Sequence, residues 1–176
     1  MKHLIILCAP CGTGKSTVNQ IFKRRGLLPD YATLDSDDID ISWLDYKGTE
    51  REDQYYTDNL KRAVEIADDK NLLLVSAGMN PINFFEKVTL PDEISDTHFI
   101  AMVCSDEEIR KRLEARPAER NCGSDEFIQS QIEYAAWFKK NRGKFQKFID
   151  NTGQTPEETA QIIAEYVKEV TYSKQS

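Results

Sequence analysis

The sequence has few of the features that mark membrane, secreted or metal-binding proteins. It contains no apolar run long enough to span a bilayer, and the apolar run after Met1-Lys2-His3 is too short for a signal peptide and ends at Pro10. Only four cysteines are present, at irregular positions that form neither a disulfide framework nor a zinc pattern: Cys8, Cys11, Cys104 and Cys122. We therefore expect reduced thiols and a cytoplasmic protein.

Basic charge is in deficit. The chain has 30 acidic residues against 23 basic ones and a formal charge of -7, which argues against nucleic acid or an anionic membrane as a partner. A nucleotide remains compatible, because its charge can be met locally. A length of 176 residues allows one full core and is too short for two comfortable domains. We expect a single domain over residues 1–171 and a frayed polar tail over 172–176.

The most informative segment follows the apolar run Leu4-Ile5-Ile6-Leu7. It is Ala9-Pro10-Cys11-Gly12-Thr13-Gly14-Lys15-Ser16, in which the two glycines let the backbone curl so that several N–H groups point at an anion in front of a helix. Lys15 can then reach the β- and γ-phosphates of a nucleotide, and the Ser16 hydroxyl can bind Mg²⁺. Ala9 stands where the strict pattern has glycine and must keep an ordinary φ.

The same segment contains a second pattern. Cys8-Ala9-Pro10-Cys11 is a C-x-P-C, which on its own predicts a thioredoxin-like redox pair. Such a pair has no use for the Gly-Thr-Gly-Lys-Ser that follows, and the aromatic residues usual before it are missing, so we favour the phosphate loop. Whether Cys8 and Cys11 have any redox role stays open.

Apolar runs and helix-start signals alternate along the chain. They predict strands over residues 3–8, 31–35, 71–75, 97–104 and 145–149, and helices over 14–25, 49–70, 105–115, 124–142 and from Thr155 onward. This alternation is typical of an α/β fold, a parallel sheet with helices on both faces. Ligands of such sheets bind beyond the carboxyl ends of the strands, so the residues just after each strand are the candidate site.

Carboxylates and small polar residues follow the second and third strands. Asp35 could lie near a metal ion while Asp37 accepts a proton from an acceptor hydroxyl; the alternative is a solvated acidic loop that caps the next helix. Gly78 would let the backbone approach a ligand, and Asn80 could hydrogen-bond it. No carboxylate directly follows the third strand and no Asn-Lys-x-Asp occurs, which argues against a GTPase or a motor ATPase.

Four arginines follow the fourth strand at about helical spacing: Arg110, Arg112, Arg116 and Arg120. We expect a lid at about 114–125 that closes over phosphates, with Arg116 and Arg120 contacting the transferred phosphoryl group. The alternative is ordinary surface ion pairing with neighbouring glutamates.

An acceptor-binding helical segment is expected at about 38–70. Trp43 and Tyr55 offer aromatic faces that could stack on a base or ring, and Arg51 offers positive charge. This density of aromatic residues fits a nucleoside or another ringed alcohol better than a linear polyol. The alternative is that the aromatic side chains only pack the segment together.

Taken in order, four segments resemble the small P-loop kinases, the group of shikimate, gluconate, nucleoside, chloramphenicol and nucleoside-monophosphate kinases. They are Gly-Thr-Gly-Lys-Ser at 12–16, Asp-Ser-Asp at 35–37, Arg-x-x-x-Arg at 116–120, and Ile149-Asp150-Asn151-Thr152, which is similar to the segment beside the adenine of ATP. The resemblance implies a three-layer P-loop NTPase fold, with a five-stranded parallel sheet in the order 2-3-1-4-5 and a lid.

The resemblance also implies an ATP- and Mg²⁺-dependent phosphotransferase that acts on a hydroxyl of a small molecule. The residues expected to bind ATP are Gly12, Thr13, Gly14, Lys15, Ser16, Thr17, Arg112, Asn151 and Thr152, with Ser16 and Asp35 at the metal. The expected catalytic residues are Lys15, Asp37, Arg116 and Arg120, and the acceptor would contact Asp37, Trp43, Arg51, Tyr55, Gly78 and Asn80. A nucleoside-monophosphate kinase, a non-catalytic ATP-binding switch protein, and a monomer or homodimer all stay open.

Overall fold

A computed structural model describes residues 1–120 and 122–173 and contains a five-stranded parallel sheet. The strands are β1 (Lys2–Cys8), β2 (Tyr31–Asp35), β3 (Asn71–Ser76), β4 (Ile94–Val103) and β5 (Lys147–Asp150). They lie in the order β2-β3-β1-β4-β5, all parallel, which confirms the expected order and the P-loop NTPase fold.

Helices cover both faces of this sheet. They are α1 (Lys15–Arg25), α2 (Gln54–Ala67), α3 (Pro81–Lys87), α4 (Asp106–Glu114), α5 (Asp125–Lys140) and α6 (Pro156–Tyr172), with short 3₁₀ helices at Ser36–Asp38, Trp43–Asp45, Ala118–Arg120 and Arg142–Lys144. α1 and α6 pack on one face, whereas α2, α3 and α5 pack on the other. α4 and α5 enclose a third, smaller apolar cluster around Leu113.

The central strand β1 carries the phosphate loop to the middle of the sheet edge. Leu4 and Ile6 pack towards α2, and Ile5 and Leu7 pack towards α1 and α6, so every side chain of this run is fully buried. A strand covered on both faces has to be apolar throughout rather than alternating. Because β1 lies between β3 and β4, the loop that follows it is flanked by the ends of both neighbours.

Some predicted boundaries are wrong. α2 begins at Gln54 instead of Thr49, because the Thr49 hydroxyl donates to the Tyr46 carbonyl and accepts from the Arg51 amide, and so forms a turn rather than a helix cap. α3 was not expected from the sequence. β4 begins three residues before the expected residue 97, at Ile94. The last helix runs to Tyr172, and residues 174–176 of the expected frayed tail lie outside the described part.

Two features bear on the class of protein. In the stretches 1–120 and 122–173, no helix combines the length and apolar character needed to cross a bilayer. The four cysteines form no disulfide within the same stretches.

Candidate functional site

The loop between β1 and α1 curls through two glycines in left-handed backbone conformations. Gly12 has φ +87° and Gly14 has φ +94°, values that glycine adopts without the cost that a side chain would add. Thr13 between them is fully buried, and its hydroxyl donates to the Pro10 carbonyl at 2.8 Å, which closes the loop. α1 begins directly after Gly14, so the free amides of the first helical turn face the loop. This geometry suits an anion such as a phosphate group.

Lys15 lies beside the loop with only 6% of its surface exposed. Its Nζ donates to the Cys11 Sγ at 3.8 Å. A thiol sulfur is a weak acceptor, so a phosphate oxygen would replace it readily as the partner of the ammonium group.

Ser16 and Asp35 meet although they come from different elements. The Ser16 hydroxyl, at the start of α1, donates to Asp35 Oδ2, at the end of β2, over 2.9 Å. Asp35 is buried, and its other oxygen accepts from the Asp37 amide at 3.2 Å. A hydroxyl and a carboxylate that converge beside a phosphate loop form a donor set of the kind that Mg²⁺ takes, together with phosphate oxygens and water. The residues present therefore fit the metal ion expected from the sequence.

Asp37 lies in the short 3₁₀ helix that directly follows Asp35. Its side chain is exposed, yet the surrounding protein atoms raise its pKa, and the charge of Asp35 raises it further. Lys15 opposes this shift with its positive charge, which also shows that the three groups share one electrostatic environment. A carboxylate with a raised pKa is a better proton acceptor than an ordinary one.

Asn59 holds the Asp35–Asp37 loop from below, and sequence analysis missed it. It is fully buried on α2, and its Nδ2 donates to the Ser36 carbonyl at 3.2 Å and to the Tyr55 hydroxyl at 3.5 Å. The signal was available, because an asparagine directly precedes the buried residue Leu60 on the apolar face of α2. A buried amide in such a place usually has a specific partner.

Arg112 and Asn151 both bind the outer backbone of the phosphate loop. Arg112 Nη1 donates to the carbonyls of Thr13 and Gly12 at 3.1 and 3.4 Å, and its Nη2 is paired with Glu108. Asn151 Nδ2 donates to the Thr13 carbonyl at 3.0 Å. Glu108 also accepts from the Gly153 amide at 2.9 Å, which ties α4 to the segment after β5.

A pocket of about 140 Å³ adjoins the loop at the end of β5. Its lining includes Thr13, Gly14, Thr17, Arg112, Asn151 and Gln154. Five of these six residues were expected to bind ATP. Thr152, also expected there, instead uses its hydroxyl to donate to Asp150 Oδ1 at 2.6 Å and to accept from the Ser105 amide at 2.9 Å, so it stabilises the adjoining turn.

The expected lid begins where α4 ends. Arg116 is half-buried, and its Nη1 donates to the Cys122 Sγ at 3.8 Å within the same segment. Arg120 ends a short 3₁₀ helix, but its side chain lies outside the described part of the structure. Neither of these two arginines is therefore placed on the phosphate loop by the described contacts, whereas Arg112 is.

Aromatic side chains of the expected acceptor-binding segment form one cluster. Trp43 contacts Tyr55 edge to face with ring centroids 5.1 Å apart, and it lies 6.2 Å from Tyr56. Tyr55 is buried, while Trp43 and Tyr56 remain partly exposed. The Arg51 side chain turns back onto the acceptor-binding segment itself, where it pairs with Asp58 at 3.2 Å. The cluster thus both packs the segment and leaves aromatic surface open.

The β3–α3 loop closes the other side of this region. A Cβ added to Gly78 would lie 2.9 Å from Tyr56 Cε1, so the Tyr56 ring covers the backbone there. Asn80 caps α3 by accepting from the Ile82 and Asn83 amides, and its Nδ2 donates to the Tyr134 hydroxyl at 3.2 Å. Tyr134, on α5, in turn donates to the Ala77 carbonyl at 2.6 Å.

A comparison with protein families identifies one matching domain. The family model described as AAA domain matches residues 5–133, which contain the phosphate loop, the two carboxylates and the segment expected to form a lid. No curated protein matches the sequence.

Several solved structures share the fold over nearly the whole chain. The Deinococcus radiodurans tunicamycin resistance protein is 15% identical with a TM-score of 0.64, covering 95% of this chain and 96% of that one. A gluconokinase from Sinorhizobium meliloti 1021 is 17% identical with a TM-score of 0.61, covering 99% and 98%. Shikimate kinase from Acinetobacter baumannii, solved with shikimate, is 19% identical with a TM-score of 0.58, covering 99% and 94%. At these identities the likeness establishes the fold alone.

Proposed function

The chain belongs to the AAA domain family, and from that premise we propose that it is a P-loop kinase that transfers the γ-phosphate of ATP to a hydroxyl of a small molecule. One observation carries the proposal. Lys15, the Ser16–Asp35 pair and Asp37 converge at one loop, so that phosphate-binding, metal-binding and proton-accepting groups lie together. The names of the gluconokinase and the shikimate kinase support the same class of reaction.

Each group has a distinct task in this reaction. The curled amides of 12–16 and the Lys15 ammonium hold the phosphate oxygens and neutralise their charge. The pocket between Arg112 and Asn151 receives the base of ATP. Asp37 accepts the proton of the acceptor hydroxyl as its oxygen bonds to the γ-phosphorus. The bond from that phosphorus to the bridging oxygen breaks, and ADP leaves with the electron pair.

Ser16 and Asp35 would hold Mg²⁺, which when bound neutralises phosphate charge and orients the phosphate oxygens. Their hydrogen bond brings the hydroxyl and a carboxylate oxygen within 2.9 Å of each other, which supports this pair as the one that would hold the ion. The Asp35 carboxylate also accepts a hydrogen bond from the Asp37 amide. The same side chain would therefore position both the metal-binding pair and the proton-accepting residue.

Release of ADP from ATP and Mg²⁺ tests this function across a panel of nucleosides, nucleoside monophosphates, sugar acids, shikimate and ringed antibiotics. We expect one class to stimulate release, and Lys15→Ala to abolish the stimulation. Lys23→Ala is the matched control, because Lys23 lies exposed on the same helix. Near-normal activity of Lys15→Ala would overturn the kinase function. Tight ATP binding without stimulation by any member would favour a nucleotide-binding switch.

We also propose that the enzyme works in the cytoplasm as a monomer or a homodimer, without a nucleic-acid or membrane partner. The absence of disulfides in the described residues fits a reducing compartment. The net charge of -7 fits a protein that avoids polyanions.

A further inference from the structure

Three basic residues near the acceptor side of the site, on α2, on α3 and in the turn before α2, are already engaged by carboxylates of the protein. Arg51 pairs with Asp58 at 3.2 Å, and Lys87 pairs with Asp53 at 2.8 Å. Arg62 is held by both Asp40 and Glu65, at 2.8 and 2.9 Å. An acidic acceptor would have to displace one of these carboxylates before it could use the cation.

Two further lysines complete the basic residues of α2 and the turns before it. Lys47 is exposed on the turn after the Trp43–Asp45 helix. Lys61 lines a surface groove together with Lys2, at the start of β1, and Glu93, directly before β4. That groove is at the opposite edge of the sheet from the phosphate loop. Lys61 therefore lies away from the region between the aromatic cluster and Asp37.

The groups that α5 and the β3–α3 loop contribute are neutral. From α5, Tyr134 bonds to Ala77 and Asn80, and Gln131 accepts from the Cys11 amide at 2.9 Å. Asp35 and Asp37 add negative charge at the transfer point, which repels a carboxylate or a phosphate monoester. Amide, phenol and aromatic groups instead favour an uncharged ring that carries hydroxyls.

We propose that the acceptor of this site is an uncharged, ring-bearing alcohol, and that the site discriminates against carboxylic acids and phosphate monoesters. The proposal rests on the proposed kinase function. Trp43 and Tyr56 supply the partly exposed aromatic surface on which the ring stacks. The ion pairs of Arg51 and Lys87 exclude the acids, because they leave those charges satisfied within the protein.

Binding of matched acceptor pairs can be followed by the fluorescence of Trp43. Trp137→Phe removes the only other tryptophan, which lies against Phe138 and Phe145. A saturating non-hydrolysable ATP analogue fills the nucleotide site first. The probes are uridine against uridine monophosphate, and methyl shikimate against shikimate. We expect the neutral member of each pair that binds to do so roughly tenfold more tightly, a difference that lies between the bulk-water and protein-surface limits for a like charge a few ångströms away.

Asp58→Asn tests the ion pair itself, because it removes the negative charge that holds Arg51 while keeping an acceptor oxygen for the Tyr46 hydroxyl. We expect this variant to bind the acidic members more tightly than the wild type does. Glu157→Gln is the matched control, since it releases Arg24 and Arg25 at the ends of α1 and α6 and should change nothing. Circular dichroism and urea unfolding confirm that the variants are folded.

Two results would overturn the proposal. One is tighter binding of an acidic member in the wild type, and the other is a lack of quenching by every ring at millimolar concentration. The readout requires no turnover, so it separates this proposal from the kinase function. Acceptor-stimulated ADP release by an acid would leave the kinase function standing and contradict the neutral acceptor. Binding of a neutral ring without phosphate transfer would support the neutral acceptor and contradict the kinase function.

Discussion

A methyl group at Gly12 should destabilise the phosphate loop in two separable ways. The backbone at Gly12 has φ +87°, where a side chain costs about 1–2 kcal/mol. The added Cβ would also lie 3.1 Å from Leu113 Cγ and 3.2 Å from the Ile109 carbonyl oxygen, and overpacking of this kind costs about 1–3 kcal/mol. Gly12→Ala should therefore lower the free energy of unfolding by about 2–5 kcal/mol.

Two other glycines separate these costs. Gly26 also has a positive φ, +59°, but nothing lies within 4 Å of its added Cβ, so Gly26→Ala should lose only about 1–2 kcal/mol. Gly143 has open space and no positive φ, so Gly143→Ala should be neutral or gain about 0.4–1 kcal/mol. Urea unfolding measures the free energy of unfolding of all three variants, and calorimetry measures how tightly each of them binds ATP. Equal stability of Gly12→Ala and Gly26→Ala would refute the close packing of the loop on α4.

Three further substitutions test individual contacts. Asp37→Asn should lower turnover by about 10²–10⁴-fold with little change in ATP affinity, and wild-type turnover should fall as the pH drops through the raised pKa of Asp37. The pKa of Asp37 is higher in the folded state than in the unfolded state, so ionised Asp37 destabilises the fold as the pH rises through both values. Asp37→Asn should therefore be more stable than the wild type in urea at neutral pH. Asn80→Ala should cost about 0.5–2 kcal/mol in urea unfolding through loss of the α3 cap. Arg112→Ala should weaken ATP binding in calorimetry, whereas Arg110→Ala, which removes only exposed ion pairs with Glu114 and Asp125, should not; equal affinities would contradict the role of Arg112.

The sheet could be predicted from the sequence because its strands are covered on both faces. The runs Leu4–Leu7 and Leu72–Val75 are continuous and apolar, and most of the predicted strands are followed by a helix signal, so strand positions and parallel pairing follow from periodicity. The phosphate loop could be predicted because its requirements are local. Its left-handed glycines and the lysine lie within five residues, from 12 to 16, and Ala9 fits because it is buried and keeps an ordinary φ.

The rest of the site depends on contacts between residues distant in sequence. The Thr49–Glu52 pattern predicts a helix start, yet the Glu52 carboxylate accepts from the Gly48 amide and closes a turn instead. Asn59 acts on Ser36 across 23 positions. Such contacts have no local signature, because they depend on how α2 packs against the sheet. The sequence predicts that Arg51 contacts the acceptor, yet its side chain pairs with Asp58. That pairing depends on how the turn before α2 folds.

The fate of the γ-phosphate is the most direct test of the central claim. ATP radiolabelled at that position would be incubated with Mg²⁺ and the uncharged probes uridine and methyl shikimate, and the products separated by chromatography. The proposed kinase predicts label on an organic phosphate ester with the wild type and with Lys23→Ala, and none with Lys15→Ala. Label found only in inorganic phosphate, or equal transfer by Lys15→Ala, would contradict the account.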